Sequence, residues 1–279
     1  MSGFRGTGWL IANQVRYQVK VFFRTPVAAF FTLILPLIML VLFNALFGDG
    51  EVDTDEGTYS LQQFYTGGLA AFAAVSATYT NLANTVPILR DEGILKRWRG
   101  TPLPPAVYIA GMVGMAVIVA VIGVVVMIGV GVGLYDVELE ASKLPAAAVT
   151  FVVGVAAFAA LGLACAALVP NARSAPAAAN ATILPLAFVS NVFIALEDPP
   201  RWLEIVGDIF PLKPFVEAFQ DTFIPFVDAP AFSWGRPGYV ALWGVAGAVV
   251  AQRKFTWEPA VGGKSESGRR SRRKAGADA

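Results

Sequence analysis

Along this chain the apolar residues collect into tracts that no charge interrupts. Asp, Glu, Lys and Arg are all absent from residues 25–48, 57–89, 100–135, 144–172 and 174–196. A helix rises about 1.5 Å per residue and needs about 20 apolar residues to cross roughly 30 Å of hydrocarbon, so every tract is long enough. The pattern predicts spans at 25–47, 61–89, 103–135, 144–170 and 174–196. A sixth, at 234–252, is built on the shorter run PGYVALWGVAGAVVA between Arg236 and Arg253. It crosses if its ends stretch, with Trp234 and Trp257 as interface anchors and the two arginines snorkelling. The first tract exceeds the roughly 7–15 apolar residues of a signal-peptide core and reads as an anchor. The expected fold is an all-α membrane protein with six transmembrane helices.

Polar segments bracket and interrupt this membrane domain, taken as residues 25–258. Residues 1–24 read as a cytoplasmic amphipathic interface helix, with Asn13, Arg16, Lys20 and Arg24 on one face and Ile11, Val15, Val19 and Phe22 on the opposite one. Its basic face is either a docking surface for a cytoplasmic partner or a plain cationic flank. Residues 259–279, a run of Gly, Ser and charge with nothing to bury, are expected to be disordered and drawn to anionic lipid. Between spans five and six, prolines break residues 197–237 into two helix-length pieces that suit short re-entrant or interfacial helices. Phe215, Phe219 and Phe223 form an i, i+4, i+8 stripe there. That stripe is either an extracellular gate or a set of rings packed on the outer ends of the spans.

Composition agrees with the pattern: 56% of the 279 residues are apolar and 15% charged, against about 45–50% and about 25% in soluble domains. The net charge of +1 hides a segregation by loop. With six spans, seventeen basic residues fall on the side of the termini: four before the first span, four in the second-to-third loop, Arg173, and eight at the C-terminal end. Four fall on the other side: Lys143, Arg201, Lys213 and Arg236. The positive-inside rule makes both termini cytoplasmic in a plasma-membrane protein. It also puts the first loop, with five acids and no base, outside.

The residue inventory excludes several chemistries. The chain has no His, which removes a Ser-His-Asp site and a zinc-hydrolase site, and its lone Cys165 is read as a packing residue. Within the charge-free tracts only tyrosines and Cys165 can ionise, which argues against a proton-coupled carrier; sodium could still bind to carbonyls and hydroxyls. The cytoplasmic acids Asp91, Glu92, Glu258, Glu266 and Asp278 form no metal constellation. No catalytic, cofactor or metal residue is assigned, and no nucleic-acid partner is expected. The G-x-x-x-x-G-K-[ST] phosphate loop is absent, so uphill transport would need an ATPase on another polypeptide.

The docking surface for such a partner is the loop at residues 90–105, RDEGILKRWRGTPLPP. Leu95 and Trp98, three apart among Lys96, Arg97 and Arg99, suit a short helix with an apolar ridge and a basic rim, Trp98 being the anchor a partner would bury. Gly100 would end that helix, Thr101 would cap the next, and Pro102 would fit its first turn. The alternative is a basic hairpin without a partner. Candidates for a substrate path are Asn81, Asn84 and Thr85 near the inner end of span two, and Asn180 and Asn191 in span five. Each set is expected to share a helical face, with interhelical hydrogen bonding as the competing role. Gly129, Gly131 and Gly133 in span three read as close helix packing.

Residues 92–103, EGILKRWRGTPL, resemble the E-x-G-T-L-x-R-L-x-x-T-P-L segment of the membrane permease subunits of ABC-2 type exporters, in particular the daunorubicin-resistance-like drug and lipid exporters of actinobacteria. Ile94 and Trp98 depart from that pattern. The amphipathic lead-in, the six spans and the closing residues 253–259, RKFTWEP, are similar to the family too, whereas the short sixth span departs from it. The resemblance implies a transport subunit, not itself an enzyme, that forms a homodimer or pairs with a paralogous permease. It implies a separate ATPase that binds ATP and Mg and docks on a coupling helix comprising Glu92, Gly93, Leu95, Lys96, Arg97, Trp98, Arg99, Thr101 and Pro102. An apolar or amphipathic drug, lipid or polyketide-like substrate would leave through the dimer, and short helices would dip into the membrane between spans five and six. A stand-alone passive or sodium-driven carrier is the alternative, and a membrane scaffold the third reading.

Overall fold

The computed structural model describes residues 6–54, 57–100, 103–195 and 199–257. Helix α1 (Thr7–Phe23) precedes a first span over Pro26–Phe47, made of α2 (Pro26–Ala29), a π turn (Phe30–Ile34) and α3 (Leu35–Phe47). Pro36 has no N–H to return to the carbonyl four residues back, and the turn just before it widens. Strands β1 (Glu51–Thr54) and β2 (Gly57–Ser60) pair antiparallel, Glu51 opposite Ser60. Next come α4 (Leu61–Val75), a second π turn (Ser76–Thr80) and α5 (Asn81–Asp91), in the tract where the second span was expected. There follow α6 (Ile94–Arg99), α7 (Pro105–Tyr135), α8 (Leu144–Leu168) and α9 (Ala175–Val189). The chain continues with α10 (Arg201–Ile209), α11 (Leu212–Gln220), a 3-10 turn (Asp221–Phe223) and α12 (Gly235–Lys254). Among the described residues three helices are long and apolar enough to cross a membrane: Pro26–Phe47, Pro105–Tyr135 and Leu144–Leu168.

The central element is α4, buried on almost every side and rich in Gly and Ala, which lets α3, α7, α8 and α11 pack close around it. Two further contacts rest on glycine. A Cβ at Gly244 of α12 would lie 2.8 Å from the Ala157 Cα of α8, and one at Gly247 would lie 3.0 Å from the Leu161 amide nitrogen. The α1–α7 contact uses Gly111 and Gly114, which face Gln14 and Val15. Of the three glycines expected to pack in span three only Gly131 does, against Thr66; Gly129 and Gly133 face open space.

The structure corrects three expectations of extent. The helix of span five, expected over 174–196, stops at Val189 because Asn191 turns into the left-handed region at φ 54°. The helix of span three starts at Pro105, with proline in its first turn, and not at the Thr101 cap. The acidic first loop contains a β-hairpin whose inward residues Val52 and Tyr59 are buried, Tyr59 edge-on to Phe226 at 6.0 Å.

The loops gather at two ends of the bundle. At one, Asp91 meets Ala172, and Leu95 shares an apolar cluster with Tyr108, Phe255 and Trp257. At the other, the hairpin meets Phe226, and the buried Lys143 donates to the Ile224 carbonyl at 2.8 Å and pairs with Glu140.

Candidate functional site

The six-residue α6 is set off by glycine at both ends. Gly93, at φ 70°, turns the chain out of α5, and Gly100 follows the last helical residue. Leu95 is wholly buried among Leu82, Val86, Tyr108 and Met112, and half-buried Trp98 lies over Tyr108 at 5.2 Å between ring centres. The apolar ridge expected to meet a partner thus faces the chain's own helices. Lys96 and Arg97 are exposed, and Arg97 Nη2 donates to the Glu92 carbonyl at 3.3 Å, bracing the Gly93 turn. Thr101, Pro102, the side chain of Arg99 and the 259–279 tail lie outside the described residues.

Helix α1, expected to lie along the membrane, packs along α7. Its packed face holds Gln14, Gln18 and Phe22, buried, with Ile11, Val15 and Val19 half-buried beside them, so the expected apolar face carries two glutamines. Arg16, Lys20 and Arg24 point away from the protein together with the exposed Trp9, Tyr17 and Phe23.

Among the polar residues of the spans, Asn81, Asn84 and Thr85 do come together. Thr85 Oγ1 donates to Asn81 Oδ1 at 3.1 Å, while Asn81 Nδ2 and Asn84 Oδ1 are buried without a hydrogen-bond partner. Asn180 and Asn191 do not share a face: Asn180 is exposed on α9, and Asn191 lies beyond the end of that helix. The side chain of Asn191 donates to Glu217 Oε1 at 3.3 Å, and its carbonyl accepts from Gln220 Nε2 at 3.1 Å. An unforeseen contact joins the second π turn to α9, where the Tyr79 and Thr182 hydroxyls lie 2.5 Å apart.

Phe215, Phe219 and Phe223 are all buried, each in ring contact with the next. Phe215 reaches Gly154, where an added Cβ would overlap its ring, and packs on Phe158 at 5.5 Å. Gly154 lies about ten residues, roughly 15 Å, along α8 from Leu144, so α11 reaches well into the bundle. The three rings fill the space between α11 and α8.

Sequence reasoning missed the ionic group beside that stripe. Lys213 pairs with Asp208 at 2.7 Å and Glu217 at 3.9 Å, while Arg236 pairs with Glu217 at 3.4 Å and Asp221 at 2.5 Å. Burial pushes the Glu217 carboxyl up, against the opposing pull of Arg236 and Lys213. Burial, then the Asp221 charge, pushes the Tyr59 hydroxyl up to about 12. A cavity of about 450 Å³ opens beside this group, lined also by Ile205, Ile209, Pro214 and Tyr239. Only the i, i+4 pair Lys213–Glu217 was legible without the fold.

The chain matches the ABC-2 type transporter family over residues 12–224. It is 27% identical over 194 residues to the daunorubicin resistance ABC transporter permease protein DrrB1 of Streptomyces coeruleorubidus, covering 67% of this chain and 65% of that protein, just under two thirds of the relative's length. It is 23% identical over 202 residues to the inner membrane transport permease YadH of Escherichia coli K12, covering 71% of this chain and 78% of that protein.

Proposed function

This chain belongs to the ABC-2 type transporter family, and from that premise we propose that it exports an apolar or amphipathic substrate outward across the plasma membrane. It is a multi-pass membrane protein and the membrane subunit of an ABC transporter, in a family whose ATPase activity resides in a separate subunit. On the proposed reading two permeases, identical or paralogous, form the path, and two ATPase subunits bind ATP and Mg on the cytoplasmic side. Six spans put both termini there. The drug-resistance name of the streptomycete relative supports a drug, lipid or polyketide-like substrate.

One observation carries the docking site. Exposed Lys96 and Arg97 stand on a short helix whose apolar side is fastened to α5 and α7, a rigid basic surface at the cytoplasmic end of the bundle. The buried, unpartnered Asn81 and Asn84 atoms support a polar step on the substrate path, and the Phe215–Phe223 plug supports closure of its outer end. The exposed basic and aromatic face of α1 supports contact with anionic lipid headgroups.

The test is transport by the purified permease–ATPase complex in sealed vesicles, with a rhodamine dye as the amphipathic probe. Dye movement is expected to need ATP and the partner subunit and to survive a protonophore. Loss of movement when only the proton gradient is collapsed, with ATP held constant, would put the carrier reading in its place.

A further inference from the structure

The dipeptide that ends α5, Arg90-Asp91, is joined to the opposite hairpin of the bundle by both of its charges. Arg90 is 4% exposed. Its Nη2 donates to the Val169 carbonyl at 2.7 Å and its Nη1 to the Ala166 carbonyl at 3.4 Å. Those carbonyls belong to the last turn and cap of α8, where a helix has no acceptor-satisfying N–H of its own and presents the negative end of its dipole. Asp91 Oδ2 accepts from the Ala172 N–H at 2.7 Å, in the turn that leads into α9, and Asp91 Oδ1 lies 3.7 Å from Arg90 Nε. A cation therefore holds the end of one helix and its neighbouring carboxylate holds the start of the next.

Stability alone does not call for a guanidinium at this place. An apolar side chain of similar length would cover the same surface without the cost of stripping water from a charge, and such exchanges are often neutral or stabilising. What the charged fork adds is direction, because two N–H groups fixed in one plane set the position of two carbonyls at once. Only Glu92 and Gly93 separate this dipeptide from α6, and α6 itself packs on α5 and α7. The polar link from α6 to the α8–α9 turn runs through Arg90 and Asp91.

We propose that Arg90 and Asp91 are positioning residues that form a clasp, carrying movement of α6 to the α8–α9 turn so that the two move as one body. The proposal rests on the reading of α6 as the ATPase-coupling helix. A force applied at Lys96 and Arg97 reaches the α8–α9 turn through the clasp; without it, only the apolar packing of α5 and α6 on α8 is left to pass that movement on.

Two measurements test it, with Arg90→Met, Arg90→Lys and Asp91→Asn each compared with the parent. In the permease–ATPase complex, dye moved per ATP hydrolysed should fall about tenfold in Arg90→Met, with the ATPase retained and hydrolysis kept. Arg90→Lys, which keeps the charge but not the fork, should fall between. A merely structural residue would lower the yield of complex and leave this ratio alone. A ratio within about twofold of the parent in Arg90→Met overturns the clasp. If Arg90→Met yields no complex, Arg90→Lys and Asp91→Asn decide by the same ratio.

The second measurement does not depend on transport. Spin labels at Lys96→Cys and Arg173→Cys, in a Cys165→Ala background, report the distance from α6 to the α8–α9 turn in the permease alone. Removing the fork should broaden that distribution, and an unchanged distribution overturns the clasp. If the parent neither retains an ATPase nor moves dye, the exporter reading fails while the distance measurement still decides the clasp.

Discussion

Glu217 is a half-buried carboxyl held among Lys213, Arg236 and Asn191. Its affinity for a proton is raised from the ordinary value of 4.5, chiefly by burial. Between that value and the raised one the folded chain holds a proton that the unfolded chain has released. The stability it contributes is full below the ordinary value and is lost as pH rises through the raised one. Glu217→Gln keeps an oxygen for Asn191 Nδ2 and removes the titration. Lowering the pH from 7 toward 4.5 should raise the melting midpoint of the parent relative to Glu217→Gln. Parallel midpoints across that range would show that the carboxyl is not held above its ordinary range.

At the scale of elements, α6 separates a surface role from a buried one. Arg97→Glu reverses an exposed charge and should weaken ATPase binding about fivefold at low salt, an effect that fades as salt screens it. Leu95→Ala empties a wholly buried site and should cost about 2–5 kcal/mol of local packing, loosening α6 from α5 and α7 without altering Lys96 or Arg97. Binding of the ATPase at varied salt, together with proteolysis between α6 and α7, distinguishes the two. The α8–α12 seam gives a second contrast. Gly244→Val would drive side-chain atoms into the backbone at Ala157 and should free α12 from α8, whereas Gly238→Ala meets open space and should be silent in the same proteolysis assay. The end of α6 was legible in Gly100, but its start at Gly93 and its orientation were not. A six-residue helix with Leu95 and Trp98 on one side offers the same ridge inward or outward, and only the Tyr108–Met112 surface decides. The β-hairpin was hidden for a related reason: four acids dominate residues 51–60, and among the described residues there Val52 and Tyr59 are the buried ones.

For the whole molecule, the distribution of basic residues fixes an expected orientation that needs no knowledge of family. In a Cys165→Ala background, a cysteine replacing Glu51 or Asp53 should react with an impermeant thiol reagent added outside whole cells, and one replacing Lys96 should not. The opposite labelling pattern would invert the molecule and remove the docking argument with it. The three long apolar helices, Pro26–Phe47, Pro105–Tyr135 and Leu144–Leu168, were readable because charge is excluded from hydrocarbon, a constraint that acts on each residue separately. The ionic group around Glu217 and the Arg90–Asp91 contacts were not readable, because their partners lie in other elements and meet only when the bundle closes.

Helix α7 has 31 residues, about 46 Å of rise, whereas α9 has 15, about 22 Å, on either side of a hydrocarbon thickness of roughly 30 Å. On the six-span reading one flank of the permease overshoots the bilayer and another falls short of it. Lipid beside α7 keeps its relaxed thickness if the longer helix tilts. Lipid beside α9 has to thin or tilt to meet its ends, storing a fraction of a kcal/mol for each ångström of mismatch. The membrane is then pinched along one side of the protein, and an apolar molecule crossing there has the shortest distance to travel.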